Sequence, residues 1–189
     1  MFVKKIPLKK TLQYGLAAIL LSTLAIVSSS TEAARTTVSL NVKDVSQAAG
    51  NWCWAATSVS ILDYFNESVT QHDFVEYVKG EAVNKPENMR NTKDGIEHFG
   101  VSSTRESDSM SWSRTVREIN TDSPILVAIK WKTQKIGHNV VIDGYINDST
   151  RYVMYMDPWD GQHFTMPYDA FLNSSRQEWL DSLYGFETN

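Results

Sequence analysis

Trp52-Cys53-Trp54-Ala55-Ala56-Thr57-Ser58-Val59-Ser60-Ile61-Leu62-Asp63-Tyr64-Phe65 places Ala55, Ala56, Val59, Leu62 and Phe65 at i, i+3, i+4 spacing. That is the stripe of a helix buried on one side. Asn51, just before it, is the predicted N-cap. The only cysteine of the chain, Cys53, therefore falls at the start of a helix, two residues after its cap. A helix N-terminus carries unsatisfied N–H groups and about half a positive charge, which favours thiolate over thiol.

Working outward, residues 51 to about 120 read as helical. Thr70, with Asp73 three positions on, opens a second helix that Gly80 closes. Asp94–Phe99 predicts a short helix ended by Gly100, and Ser111–Asn120 another, stopped by the turn at Asp122–Pro124. Beyond Pro124 the period changes. Ile125–Trp131, Asn139–Ile146 and Arg151–Met156 are rich in Val, Ile and Tyr and are separated by short turns. Gln162–Met166 and Asp181–Phe186 predict shorter strands. Helices first and strands second specify an α+β domain, a helical half packed on an antiparallel sheet.

Upstream, Met1–Lys10 is basic, Tyr14–Val27 is an uncharged apolar run, and Thr31 and Ala33 supply small residues at the −3 and −1 positions of a cleavage site. These are the three parts of a secretory signal. The run falls short of the roughly 20 residues that span a bilayer. Residues 1–33 are therefore read as a signal peptide and 34–189 as one exported domain, with no stable membrane association after cleavage. Lys4, Lys5, Lys9 and Lys10 against Glu32 give the signal a charge of +3, so a chain of net −4 leaves a mature domain of −7. An acidic domain lacks the charge to grip nucleic acid. A single cysteine excludes an internal disulfide framework. The His and Asp residues lack tight ligand spacing, so neither metal nor cofactor is implied.

Export gives the lone thiol meaning, because an unpaired cysteine in an oxidising compartment is a liability unless it is buried, paired between chains or used. Four histidines compete as its partner. His72 falls in the first turn of the second helix and His98 at the end of the third. His163 lies in a turn-to-strand segment. His138 follows Gly137 and precedes the core-strand residues Val140, Val141 and Ile142, a rigid position for a general base. A base needs an orienting group. Asp157 ends the next strong strand, and adjacent antiparallel strands would bring it to the same sheet end as His138. Asp143 and Asp160 are the rivals.

Gln47-x5-Cys53-Trp54-Ala55, then Gly137-His138-x-Val140-Val141 with Gly144-Tyr145, then Asp157-x-Trp159, resembles the papain-like cysteine peptidases in order and local context. The Asn-Trp-Cys-Trp-Ala-Ala string at 51–56 is most similar to their small bacterial branch, which includes secreted effector proteases of pathogens. Pro124 to Gly161 also resembles the leader-peptidase domains of bacteriocin exporters. The resemblance implies a Cys53–His138–Asp157 triad. It further implies Gln47 and the Cys53 N–H as oxyanion donors, and Trp159 as a shield over the histidine–aspartate bond. The departures are an 85-residue separation between Cys53 and His138, much shorter than in papain, and aspartate where papain has asparagine. Only residues 34–52 would precede Cys53 after cleavage, so a long inhibitory prosegment is not expected.

The expectation is a secreted thiol protease acting on a protein or peptide. Two rivals stand beside it. Transglutaminases and cell-wall amidases also use Cys–His with a third polar group, and an inactive exported binding module would keep the fold without the chemistry.

Overall fold

Strand β4, Ile136–Asn147, runs through the middle of a seven-stranded antiparallel sheet and organises everything around it. The computed structural model describes residues 35–189, which belong to one compact unit, Ala33–Asn189. The predicted signal peptide, residues 1–33, lies outside the described residues. In chain order the elements are β1 (Thr36–Ser39), α1 (Cys53–Tyr64), α2 (Gln71–Lys79), α3 (Met89–His98), β2 (Val101–Glu106), α4 (Trp112–Asn120) and β3 (Ile125–Trp131). After β4 come β5 (Arg151–Asp157), β6 (Gln162–Pro167), α5 (Tyr168–Leu172) and β7 (Gln177–Thr188). The strand order is β2-β7-β3-β4-β5-β6.

β4 is long enough to have two neighbours on one edge. β3 pairs with its first half, Ile125 opposite Ile142, and β1 with its second, Ser39 opposite Gly144. Between them lies Asp143, at the irregularity where the β5 register shifts, and its carbonyl accepts a hydrogen bond from the Leu40 N–H. Gly144 permits the close approach of β1, because a Cβ there would stand 2.6 Å from the Val38 carbonyl oxygen.

The α+β class and all five predicted strands are present, Ile125–Trp131 with the expected bounds and the other four with wider ones. Two strands were hidden. β1 and β2 come from the stretch before Pro124, so the first half of the chain also feeds the sheet. β2, Val-Ser-Ser-Thr-Arg-Glu, buries only Val101 fully and pairs on one side alone, with β7. Its mostly polar sequence carries little of the apolar alternation that marks a half-buried strand.

The helix α1 departs from expectation in two ways. Its cap residue is Trp52, with no side-chain cap, so Asn51 is not the N-cap. It is also buried almost all round, from Trp54 to Leu62. The polar residues that suggested a solvent face are satisfied internally. Thr57 and Ser58 donate to the Cys53 and Trp54 carbonyls, and Ser60 donates to the Lys43 carbonyl. Buried hydroxyls bonded in this way avoid the cost of an unpaired polar group. Elsewhere Thr70 caps α2 by accepting from the Asp73 N–H, and Gly80 ends it in the left-handed region. α3 begins earlier than expected because Asn88 caps it, accepting from the Arg90 and Asn91 N–H groups.

Candidate active site

The residues flanking Cys53 are tied down on one side, which leaves the thiol facing the other. Asn51 bonds Asn84 through both its backbone N–H and its side-chain amide. The indole N–H groups of Trp52 and Trp54 donate to the Val83 and Lys85 carbonyls at 2.9 and 3.1 Å. Lys79 reaches the same segment, pairing with Glu87 at 2.6 Å. The Asn-Trp-Cys-Trp string thus docks α1 against residues 83–85. Cys53, the first residue of the helix, is half-buried and free of disulfide. No side chain caps α1, so its first-turn N–H groups are not taken by an N-cap.

Opposite the thiol, the β4–β5 ladder carries His138 and Asp157. Val141 pairs with Met156, so Asp157 is one residue beyond that pair on β5 and His138 three residues before it on β4. Their side chains meet at 2.6 Å, His138 Nε2 to Asp157 Oδ1. The same carboxylate oxygen accepts from the Trp159 N–H at 2.9 Å. The Cys53 sulfur is the second group whose charge and hydrogen-bonding capacity act on the His138 ring. Since Nε2 is taken by Asp157, Nδ1 is the nitrogen left for sulfur. Burial desolvates this imidazole and pulls its pKa down. The hydrogen bonds and charges of Asp157 and Cys53 outweigh that effect and raise it to about 9.

Gln47 reaches the site from an extended segment between β1 and α1. Its backbone N–H donates to the Pro158 carbonyl at 2.7 Å, and its side-chain amide donates to the Ala49 carbonyl at 3.0 Å. An amide nitrogen carries two hydrogens, so one remains for a further acceptor. Gln47, Cys53, His138, Asp157 and Trp159 all line one cleft of about 850 Å³.

Trp159 differs from expectation in its ring. The side chain is 71% exposed and joins Asp157 through its backbone. The aromatic ring beside His138 belongs instead to Trp131 on β3, with centroids 6.2 Å apart. Nothing in the spacing of the sequence pointed to Trp131. The register does, since Ile129 lies opposite His138 and Trp131 two residues further along β3.

Of the competing residues, Asp160 lines the cleft and the others do not. His163 contacts fully buried Asp143 at 2.5 Å through Nδ1 and Asp44 at 2.7 Å through Nε2. Burial raises the Asp143 pKa to about 6, against the opposing pull of His163. The two rivals therefore face each other as an ion pair, neither of them lining the cleft, although the buried Asp143 oxygens make no hydrogen bond. Asp160 accepts from the Gln162 N–H within its turn. His98 stacks on Tyr77 at 3.6 Å. His72 is exposed, and with Asp73 and Glu76 it forms the one group of potential metal ligands among the described residues.

The chain belongs to the Peptidase_C39 like family, whose model matches residues 39–182. It is a cysteine peptidase with a papain-like fold. Two of the solved structures that share that fold show the likeness. One is the peptidase domain of Streptococcus ComA, a bi-functional ABC transporter involved in quorum sensing. It is 16% identical, with a TM-score of 0.60 over 78% of this chain and 99% of that one. The other is a double-glycine motif protease from an AMS/PCAT transporter, solved in complex with the leader peptide. It is also 16% identical, with a TM-score of 0.52 over 82% of this chain and 99% of that one. No curated protein sequence matches the chain.

Proposed function

We propose that the chain is an exported peptidase that hydrolyses peptide bonds through Cys53, His138 and Asp157, with Gln47 and the Cys53 N–H holding the oxyanion. The observation that carries this reading is the 2.6 Å bond between His138 and Asp157 on the wall of the same cleft that Cys53 lines from the first residue of α1. A protonated ring next to sulfur stabilises the thiolate. The thiolate attacks the carbonyl carbon, and the carbonyl electrons move onto oxygen as the C–S bond forms. Collapse of that intermediate breaks the C–N bond, with His138 delivering its proton to the leaving amine. Water, deprotonated by the now neutral His138, then hydrolyses the thioester, expelling the thiolate and restoring its pair with the protonated ring. Asp157 holds the ring in the required tautomer throughout.

The substrate is a peptide or an unfolded protein segment. The cleft rim supports this: of the five large hydrophobic side chains exposed among the described residues, Ile136, Trp159, Phe164 and Leu180 lie along it. Apolar surface gathered in one place marks a binding surface. The leader peptide bound by the transporter protease of the same fold supports a peptide ligand in this cleft. Peptide-bond hydrolysis accords with the family better than acyl transfer to an amine or cell-wall amidase action.

The test is the pH dependence of Cys53 alkylation by iodoacetamide, with His138→Ala as the control. Fast alkylation below pH 7 that disappears in the control supports the coupled pair. Equal rates in both proteins overturn it. Export is tested separately by sequencing the N-terminus of the protein recovered outside the cytoplasm, where a start at Ala34 is expected.

A further inference from the structure

Gln47 sits in a segment that belongs to no strand, yet its backbone is held on both edges. On one edge its own N–H donates to Pro158, the residue after Asp157. On the other edge a single side chain, Gln71, takes both neighbours: its Oε1 accepts from the Ala48 N–H at 2.9 Å and its Nε2 donates to the Ser46 carbonyl at 2.8 Å. In an extended chain the polar groups of residues 46 and 48 face one way and those of 47 the other. The Gln71 amide therefore stands in for a neighbouring strand, supplying one donor and one acceptor at the matching spacing. Gln71 is itself well placed for this, as the first residue of α2 directly after the Thr70 cap.

We infer that Gln71 is a positioning residue for the oxyanion donor Gln47. This rests on the role proposed above for Gln47. Gln71 does not line the cleft, so it acts only through the segment it brackets. Without the bracket, Pro158 alone pins the backbone at Gln47 from outside the segment, and the side-chain amide keeps only its bond to the Ala49 carbonyl, which belongs to the same loosened segment. A misplacement of about 1 Å at a reacting centre can cost on the order of 10²-fold in rate.

The experiment is a double-mutant cycle in the purified protein. Its probe is p-nitrophenyl acetate, whose acylation of Cys53 passes through a tetrahedral oxyanion. Gln71→Ala is expected to lower kcat about 10- to 100-fold with KM little changed. It should cost nothing further in a Gln47→Ala background. Gln71→Glu, which keeps the acceptor for Ala48 but loses the donor to Ser46, should fall between wild type and Gln71→Ala. Equal losses in both backgrounds would mark Gln71 as merely structural and overturn the inference, as would full activity in Gln71→Ala beside a crippled Gln47→Ala. Full activity in Gln47→Ala would instead overturn the oxyanion reading itself.

Discussion

His138 and Asp157 are carried by adjacent strands, whereas Gln47 is carried by a segment outside any strand, held by one distant side chain and one distant backbone carbonyl. In the first region the backbone ladder sets the geometry. β4 is flanked on both edges and its core residues Val140, Val141 and Ile142 are fully buried, so no single side chain decides where His138 lies. In the second region each contact is individual: Pro158 on one edge, Gln71 on the other, and Asp44 held upstream by His163. A site built on strands resists local change, and one built on a segment depends on its supports.

The contrast can be broken most directly at the imidazole. His138→Ala should lower peptidase activity by about 10⁴-fold or more, since the members of such a unit act together. Activity within tenfold of wild type would detach the sheet region from the chemistry. Gln47→Ala should cost less, about 10²- to 10³-fold in kcat, as expected for one oxyanion donor. Its thermal midpoint should barely move, because no strand or helix rests on that side chain.

A third measurement sharpens the difference through stability. His138 has a folded pKa raised from 6.5 to about 9. The contribution is therefore fully present below pH 6.5 and is lost as pH rises toward 9. It is on the order of 3 kcal/mol. Urea midpoints compared at pH 6 and pH 9 should show the loss, and His138→Ala should abolish this part of the pH dependence. No such loss should follow from Gln47→Ala.

The smallest expected effect lies where the two regions meet. Gly161 has φ +71, and a Cβ there would stand 2.7 Å from the Ser46 hydroxyl. Gly161→Ala should destabilise by about 1–2 kcal/mol, read from the denaturant midpoint. A kcat loss exceeding that of Gln47→Ala would show that the turn controls more than the glutamine.

How far the site was legible follows the same division. The pairing of His138 with Asp157 could be read from two strands of known length and a short turn, because antiparallel pairing brings their ends together. β1 and β2 were not legible, being short or largely polar and stabilised by partners far along the chain. The complete burial of α1 was not legible either, since Thr57, Ser58 and Ser60 read as a wet face until their acceptors are in place. The destinations of His163 and Asp143 were equally hidden, because each depends on the other across the sheet.

By itself the sequence determined the α+β class, the order of thiol, imidazole and carboxylate, and the strand pair that joins the last two. Those follow from periodicity and local spacing, which are properties of neighbouring residues. Tertiary structure alone decided that Trp131 stands beside His138, that Asn51, Trp52 and Trp54 lock α1 to residues 83–85, and that Gln71 brackets Gln47. Each of these is a contact between segments separated by at least seven residues, and no local pattern encodes where a distant backbone carbonyl will lie.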